Sequence, residues 1–373
     1  MRMPSALNNT GMRFLSRRLD GVDLLRGLAI LTVLLNHVNM RLFLARIPYT
    51  EGLPHQLVAT LFWSGQRGVQ IFFAVSGFLI TSTSIRRWGA LAKVAPLAFY
   101  RLRVARIAPL LILLLLVLSL LHAAGLQNFV VAEQTGGLGR ALLAALTFHV
   151  NWLEATRGYL PGNWDILWSL SVEEMFYLFF PLVCRLFKRG LIGVLAVFIV
   201  LGPFARTLLS ADNDVWHEYS YLGGMDAIAC GCLTAILLSG RSLSTGASRC
   251  AGVAGVVLLT FCLGFSNVAA TWGLEAAGLD MTVLAVGTCL VMAASAESRW
   301  VAPRVLAPLT RLGQRSYEVY LTHMFVVFAL FGLFRSPVAL LFIATILLAA
   351  VLGEGVARVY TEPMNARLRA RAM

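Results

Sequence analysis

The chain has 373 residues, of which 58% are hydrophobic and only 13% charged, with a mean hydropathy of +0.77. A soluble domain carries about 25% charged residues, so this composition excludes an ordinary soluble protein and points to helices that satisfy their backbones internally in lipid. The net charge of +13 argues for no nucleic-acid partner, because no basic stripe is interleaved with stacking aromatics; Lys and Arg gather instead in loops between apolar runs, as positive-inside topology requires.

A membrane span needs roughly 20 apolar residues. In chain order the runs predict ten, near 24–43, 66–85, 105–124, 164–187, 190–209, 221–239, 250–267, 278–295, 317–334 and 336–356. A shorter run near 141–153 is too short to cross and reads as re-entrant or interfacial. The expectation is an all-α integral membrane protein, a single domain over residues 1–373 with its core at about 18–360. The first run carries Arg26 and His37 and no small-residue cleavage site, so it reads as a retained span rather than a signal peptide. The six cysteines follow no metal-ligand or disulfide spacing, and no metal is expected.

Loop charge sets the expected orientation. Basic residues mark the N-terminal segment (Arg2, Arg13, Arg17, Arg18) and the loop after the second span (Arg86, Arg87, Lys93, Arg101, Arg103, Arg106). They recur after the fourth (Arg185, Lys188, Arg189), the sixth (Arg241, Arg249) and the eighth (Arg299, Arg304, Arg311, Arg315), and in the tail (Arg358, Arg367, Arg369, Arg371). The alternate loops carry acid: Glu133 and Glu154, then Asp212, Asp214 and Glu218, then Glu275. Ten spans with both termini cytoplasmic fit this pattern, in a bacterial inner membrane. A full crossing at 141–153 would invert every later loop.

Ionisable residues inside spans are costly and usually functional or paired. Arg26 and His37 lie eleven residues apart on the first span, hence on nearly one face and roughly 16 Å apart along the axis. Arg103 and Arg106 open the third span, three apart and on one face. Glu173 and Glu174 lie in the fourth, Glu173 roughly 13 Å from the outer end, a depth close to that of His37. As helix neighbours they diverge by about 100° and are expected to take different partners. Asp226 and His323 are further intramembrane groups. A cluster of guanidinium groups suits phosphate. A deeper histidine beside a carboxylate suits general-base activation of a hydroxyl, the carboxylate orienting the imidazole. The gap between them suits a long, thin donor of the shape of acyl-CoA. Singly, each arginine also fits a positive-inside anchor, and His37 also fits an interhelical hydrogen bond. On physics alone a transporter or proton-coupled carrier uses the same residues, although no broken spans repeat in matching halves. A non-catalytic receptor or scaffold is the remaining alternative.

Four stretches together resemble the acyltransferase-3 family of membrane O-acyltransferases. They are Leu19–Ala29 leading to His37, Gly68–Ile80, Arg103–Pro109 and Trp168–Tyr177, and the resemblance covers roughly residues 18–360. It implies ten core helices and transfer from acyl-CoA, acetyl-CoA by default, as co-substrate with no tightly bound cofactor. The acceptor would be a hydroxyl on a glycan, lipid-linked sugar or glycosylated small molecule. It implies His37 as catalytic residue with Glu173 as functional acid, and Arg26, Arg103 and Arg106 as donor-site residues. Ser76, Trp168, Glu174, Tyr177, Asp226 and His323 are additional candidates. Partners are then the lipid bilayer, acyl-CoA and the hydroxylated acceptor. Two positions depart from the family pattern: Ile166, beside Asp165, stands where many relatives have histidine, and Met175 where many have glutamine.

Overall fold

The computed structural model describes residues 19–208, 213–240, 242–298 and 300–372. The charges at Arg2, Arg13, Arg17, Arg18, Asp212, Arg241 and Arg299, and the expected end of the fifth span at 209, lie outside the described residues, as do the side chains of Arg189 and Arg371. The described residues form helices without strands, and the protein is an all-α integral membrane protein. The helices that build the bundle are α1 (Asp20–Leu44), α2 (Gly65–Trp88) and α3 (Pro96–Ala123), then the short α4 (Gly137–Leu146) and α5 (Val150–Arg157), then α6 (Leu167–Phe187) and α7 (Leu191–Thr207). There follow α8 (Tyr221–Gly240), α9 (Thr245–Gly264), α10 (Asp280–Ser298), α11 (Ser316–Leu333), α12 (Val338–Val356) and α13 (Glu362–Ala372).

Among the described residues nine helical segments are long and apolar enough to cross a membrane. Each matches one expected span, and α7 occupies the place of the remaining one, the fifth, at 190–209. Its 17 residues reach about 26 Å at 1.5 Å per residue, slightly less than the hydrocarbon core. The run at 141–153 is split: α4 and α5 meet at Thr147–His149, where Phe148 takes φ 58°. Their 10 and 8 residues span about 15 and 12 Å, too little to cross. The largest displacement of a helix start from expectation is at α3. Helix α3 begins at Pro96, not near 105, so Arg103 and Arg106 sit well inside it. Charge marked the wrong edge because arginine stems can lie along apolar surface while their heads reach polar ground.

Helix α2 is central. Of its apolar stretch 67% is buried inside the protein, against 28% for α9 and for the segment containing α12, whose outward faces are left for lipid. It lies between α1 and α8. The α2–α8 backbones touch at paired glycines: a Cβ on Gly77 would fall 1.9 Å from the Ile228 carbonyl oxygen, and one on Gly231 1.9 Å from that of Ala74. Small residues that admit such contact drive helix association where lipid removes the hydrophobic drive.

A buried ion pair fastens α7, α8, α10 and α2 together. Arg206 donates to Asp226 Oδ1 and Oδ2 at 3.1 and 2.8 Å, to Thr282 Oγ1 at 2.6 Å, and to the Gly278 and Gly223 carbonyls. Gln70 Nε2 completes the Asp226 shell at 3.0 Å. Asp226, a candidate site residue by sequence, is thus fully consumed by structural partners. At the opposite end of the bundle from the arginine-bearing helix ends, α5 packs on α6 and holds the buried Glu154, whose Oε1 accepts from the Leu160 amide at 3.0 Å. Burial, with the Asp165 carboxylate near by, pushes the Glu154 carboxyl well above the ordinary carboxylate range.

Two outcomes are expected. Asp226→Asn leaves Arg206 without its counter-charge and is expected to cost about 3–5 kcal/mol, read as a fall in melting temperature in detergent; Arg206→Met/Asp226→Leu, which removes both charges, is expected to recover much of it. For Glu154 the folded group holds its proton more tightly than the unfolded one. Its contribution is therefore complete below the unfolded value, about 4.3, and is lost as pH rises through the folded value. The melting temperature of wild type relative to Glu154→Gln is expected to decline as pH is raised from about 4 to 9.

Candidate active site

A cavity of about 220 Å³ opens among α1, α2, α3, α6 and α11. Its guanidinium groups come from Arg26 on α1, Arg87 on α2 and Arg103 and Arg106 on α3. Arg26 is held in place by an unusually close approach of the short helix Ala307–Gln314 to α1. A Cβ on Gly27 would lie 2.0 Å from the Leu309 carbonyl oxygen, and one on Gly313 1.8 Å from that of Asp23. Arg26 Nε donates to Ser316 Oγ at 3.1 Å, and its Nη1 lies 3.9 Å from Asp23 Oδ1. Arg87 and Arg106 are exposed.

Arg103 is placed differently. Its Nη2 pairs closely with Glu174 Oε1 and lies 3.5 Å from Glu173 Oε1, and its guanidinium lies 3.9 Å over the Tyr177 ring. The adjacent glutamates, expected to take different partners, share this one because a single planar fork lies between them. Ser76 on α2 donates to Glu173 and is hydrogen-bonded to the Tyr177 hydroxyl. Arg103 Nε is buried without a partner, an unspent donor on a group that is otherwise neutralised.

Tyr320 lines the far part of the cavity. Its hydroxyl donates to the Ile166 carbonyl at 3.0 Å and meets Ser169 Oγ at 2.7 Å. Its ring centroid is 5.8 Å from that of His323, one turn further along α11. His323 in turn lies against His37: ring centroids are 4.9 Å apart, with His323 Nε2 3.2 Å from His37 Nδ1. The two histidines do not line the cavity; they sit one aromatic ring beyond it.

The structure therefore brings Arg26, Arg103, Arg106, Ser76, Glu173 and Tyr177 to one cavity, with Glu174 behind Arg103, and joins His37 to His323. It makes no hydrogen bond between His37 and Glu173 among the described residues. Equal depth on two helices left their relative rotation open, and rotation turned Glu173 toward Arg103. Trp168 is buried in a parallel stack on Tyr219, centroids 4.2 Å apart, on the far side of Phe73. Arg87, Tyr317 and Tyr320 also line the cavity and are not among the residues expected from the sequence. The signal for the tyrosines was present, since 317, 320 and 323 are spaced by three on one helix and share a face; Arg87 was absorbed into loop charge. Among the described residues no group of His, Cys, Asp and Glu could hold a metal ion.

The family model described as an acyltransferase domain matches residues 19–354. The chain belongs to the acyltransferase-3 family. It is similar to the O-acetyltransferase OatA of Staphylococcus aureus strain NCTC 8325 / PS 47, 25% identical over 339 residues, covering 82% of this chain and 50% of the relative. It is also similar to a putative O-acetyltransferase of S. aureus strain COL, 24% identical over 338 residues, covering 83% of this chain and 51% of that protein. The chain thus spans about half the length of the curated relatives it matches. No solved structure matches.

In this family member the Arg103 contacts carry a graded expectation. Double-mutant cycles of Arg103→Met with Glu174→Gln and with Glu173→Gln, read by unfolding in detergent, should give coupling within the range of about 0.5–3 kcal/mol, larger for Glu174 than for Glu173. Equal couplings would show that the 3.5 Å contact matters as much as the closer one.

Proposed function

We propose that this protein is a membrane-embedded O-acyltransferase that moves an acyl group, acetyl by default, from cytoplasmic acyl-CoA to a hydroxyl of a sugar-containing acceptor. The observation that carries the reading is the one cavity. Arginines stand at one end, and at the other it approaches a histidine pair through Tyr320. Its volume of about 220 Å³ is below the ~300–1,000 Å³ of pockets that enclose a drug-sized ligand. That favours a thin acyl-pantetheine arm inside and the nucleotide outside, where the exposed Arg87 and Arg106 meet its phosphates bidentately. Arg26 stands further in. The names of the relatives support acetyl as the first acyl group to try. Loop charge supports placing the arginine end and both termini in the cytoplasm of a bacterial inner membrane.

In this mechanism the acceptor hydroxyl gives its proton to His37. The alkoxide attacks the thioester carbonyl, the carbon–sulfur bond breaks, and the departing thiolate takes the proton back from His37. Glu173 and Glu174 keep Arg103 in place on the cavity wall and balance its charge inside the bilayer. The reaction consumes no oxidant and leaves no group on the enzyme.

The test is thiol release from acetyl-CoA by purified protein in nanodiscs, with a panel of sugar-containing acceptors. Acceptor-dependent release is expected in wild type, with kcat lowered about 10²–10⁴-fold in His37→Ala, the scale of a lost general base. A well-folded His37→Ala protein with full turnover would overturn the assignment of the base.

A further inference from the structure

The hydrogen bonds around the histidine pair determine its protonation. His323 Nδ1 lies 2.6 Å from the Tyr320 carbonyl oxygen. A carbonyl only accepts, so Nδ1 carries the hydrogen and donates. In the neutral ring Nε2 is then an acceptor, and it lies 3.2 Å from His37 Nδ1. His37 Nδ1 also lies 3.0 Å from the Val33 carbonyl oxygen, another pure acceptor, so this nitrogen too carries a hydrogen. One N–H is thereby shared between Val33 oxygen and His323 Nε2. Protonating His323 Nε2 would set two donors against each other, and His323 is 0% exposed, where a charge finds no water. His37 Nε2, by contrast, has no hydrogen-bond partner among the described residues and is not a sealed-off atom, on a ring that is only half-buried.

We infer that His323 is the positioning residue of this site: it accepts the Nδ1–H of His37, so that His37 presents an unprotonated Nε2 to the acceptor hydroxyl. Which nitrogen of a histidine is free is set by the hydrogen bond the other one makes. A carboxylate does this in the hydrolase triad; here a neutral imidazole does it, with the Tyr320 carbonyl fixing the second ring in turn. When His37 takes the proton of the hydroxyl on Nε2, its Nδ1–H becomes a charged donor and the bond to His323 Nε2 strengthens. The stabilisation therefore appears as the reaction proceeds, which is the condition for raising kcat rather than binding. A neutral partner also avoids burying a carboxylate beside the ring in its resting state. The pair replaces the His37–Glu173 contact expected from depth, and leaves Glu173 to Arg103.

The inference rests on His37 being the base, so the experiment separates the two. Wild type, His37→Ala, His323→Ala and His323→Gln are assayed for thiol release from acetyl-CoA, with KM and kcat resolved and folding checked by melting temperature. His323→Ala is expected to lose about 10–100-fold in kcat, the scale seen when an orienting partner of a histidine is removed, with KM for acetyl-CoA unchanged. His323→Gln, whose side-chain carbonyl can accept the same N–H, is expected to recover most of that loss. Independently, ¹⁵N-histidine spectra of the wild-type resting protein, with His37 assigned by its disappearance in His37→Gln, are expected to show Nδ1 protonated and Nε2 bare. A folded His323→Ala with full kcat, a His323→Gln no better than His323→Ala, or a His37 protonated on Nε2 would each overturn the inference and leave the acyltransferase reading intact. Absence of turnover in wild type would instead overturn the acyltransferase reading, and full turnover in His37→Ala would overturn the assignment of the base on which the inference rests. If His323→Ala does not fold, the wild-type spectrum decides alone.

Discussion

A guanidinium group within a bilayer keeps its charge and has no water to share it with, so the protein must supply its partners. The architecture is organised by how that demand is met at successive arginines. Arg206 is saturated: Asp226, Thr282 and two backbone carbonyls take its donors, and nothing is left for a ligand. Arg103 meets two glutamates and the face of Tyr177 but retains a buried, unpartnered Nε. Arg26 leans on Ser316 and Asp23 at the cavity wall, and Arg87 and Arg106 remain exposed there. The gradient from saturated to available guanidinium groups separates the scaffold of the bundle from its site.

Two helices hold both ends of the proposed reaction path. On α1, Arg26 and His37 are eleven residues apart, and on α11 Ser316 and His323 are seven apart. At 1.5 Å per residue these intervals are about 16 and 10 Å. The separation between the charged end of the cavity and the histidine pair is therefore a property of two rigid rods, not of loops. Close packing at Gly27 and Gly313 fixes α1 against the short helix Ala307–Gln314 that leads into α11. In the proposed mechanism a donor of fixed length is measured in this way, its head group at one level and its reactive carbon at another.

Polarity follows the same division. Around Arg103 the groups are ionic and mutually compensating. The hydrogen-bond partners of the histidine pair are neutral, each ring bonding the other and one carbonyl oxygen, with the Arg41 guanidinium one turn further along α1. The ionic cluster is kept to α3 and α6, where it can also hold the wall of the cavity.

Much of this was legible in the residues alone. Runs of apolar residues long enough to cross lipid dictated the helices, because a backbone in hydrocarbon has no other way to satisfy its hydrogen bonds; the split segment at 141–153 was legible for the converse reason, being too short. The grouping of Arg26, Arg103 and Arg106 followed from spacing and depth along single helices. What spacing could not determine was how each helix is rotated about its axis and which neighbour it faces. Tertiary packing alone decided that Glu173 turns to Arg103, that Glu174 joins it, that Asp226 is spent on Arg206, and that His37 meets His323. Depth along a helix is a sum of local rises and is written in the sequence. Azimuth is set by which side chains interlock across helices far apart in the chain, as at Gly77 and Gly231, and exists only once the bundle has assembled.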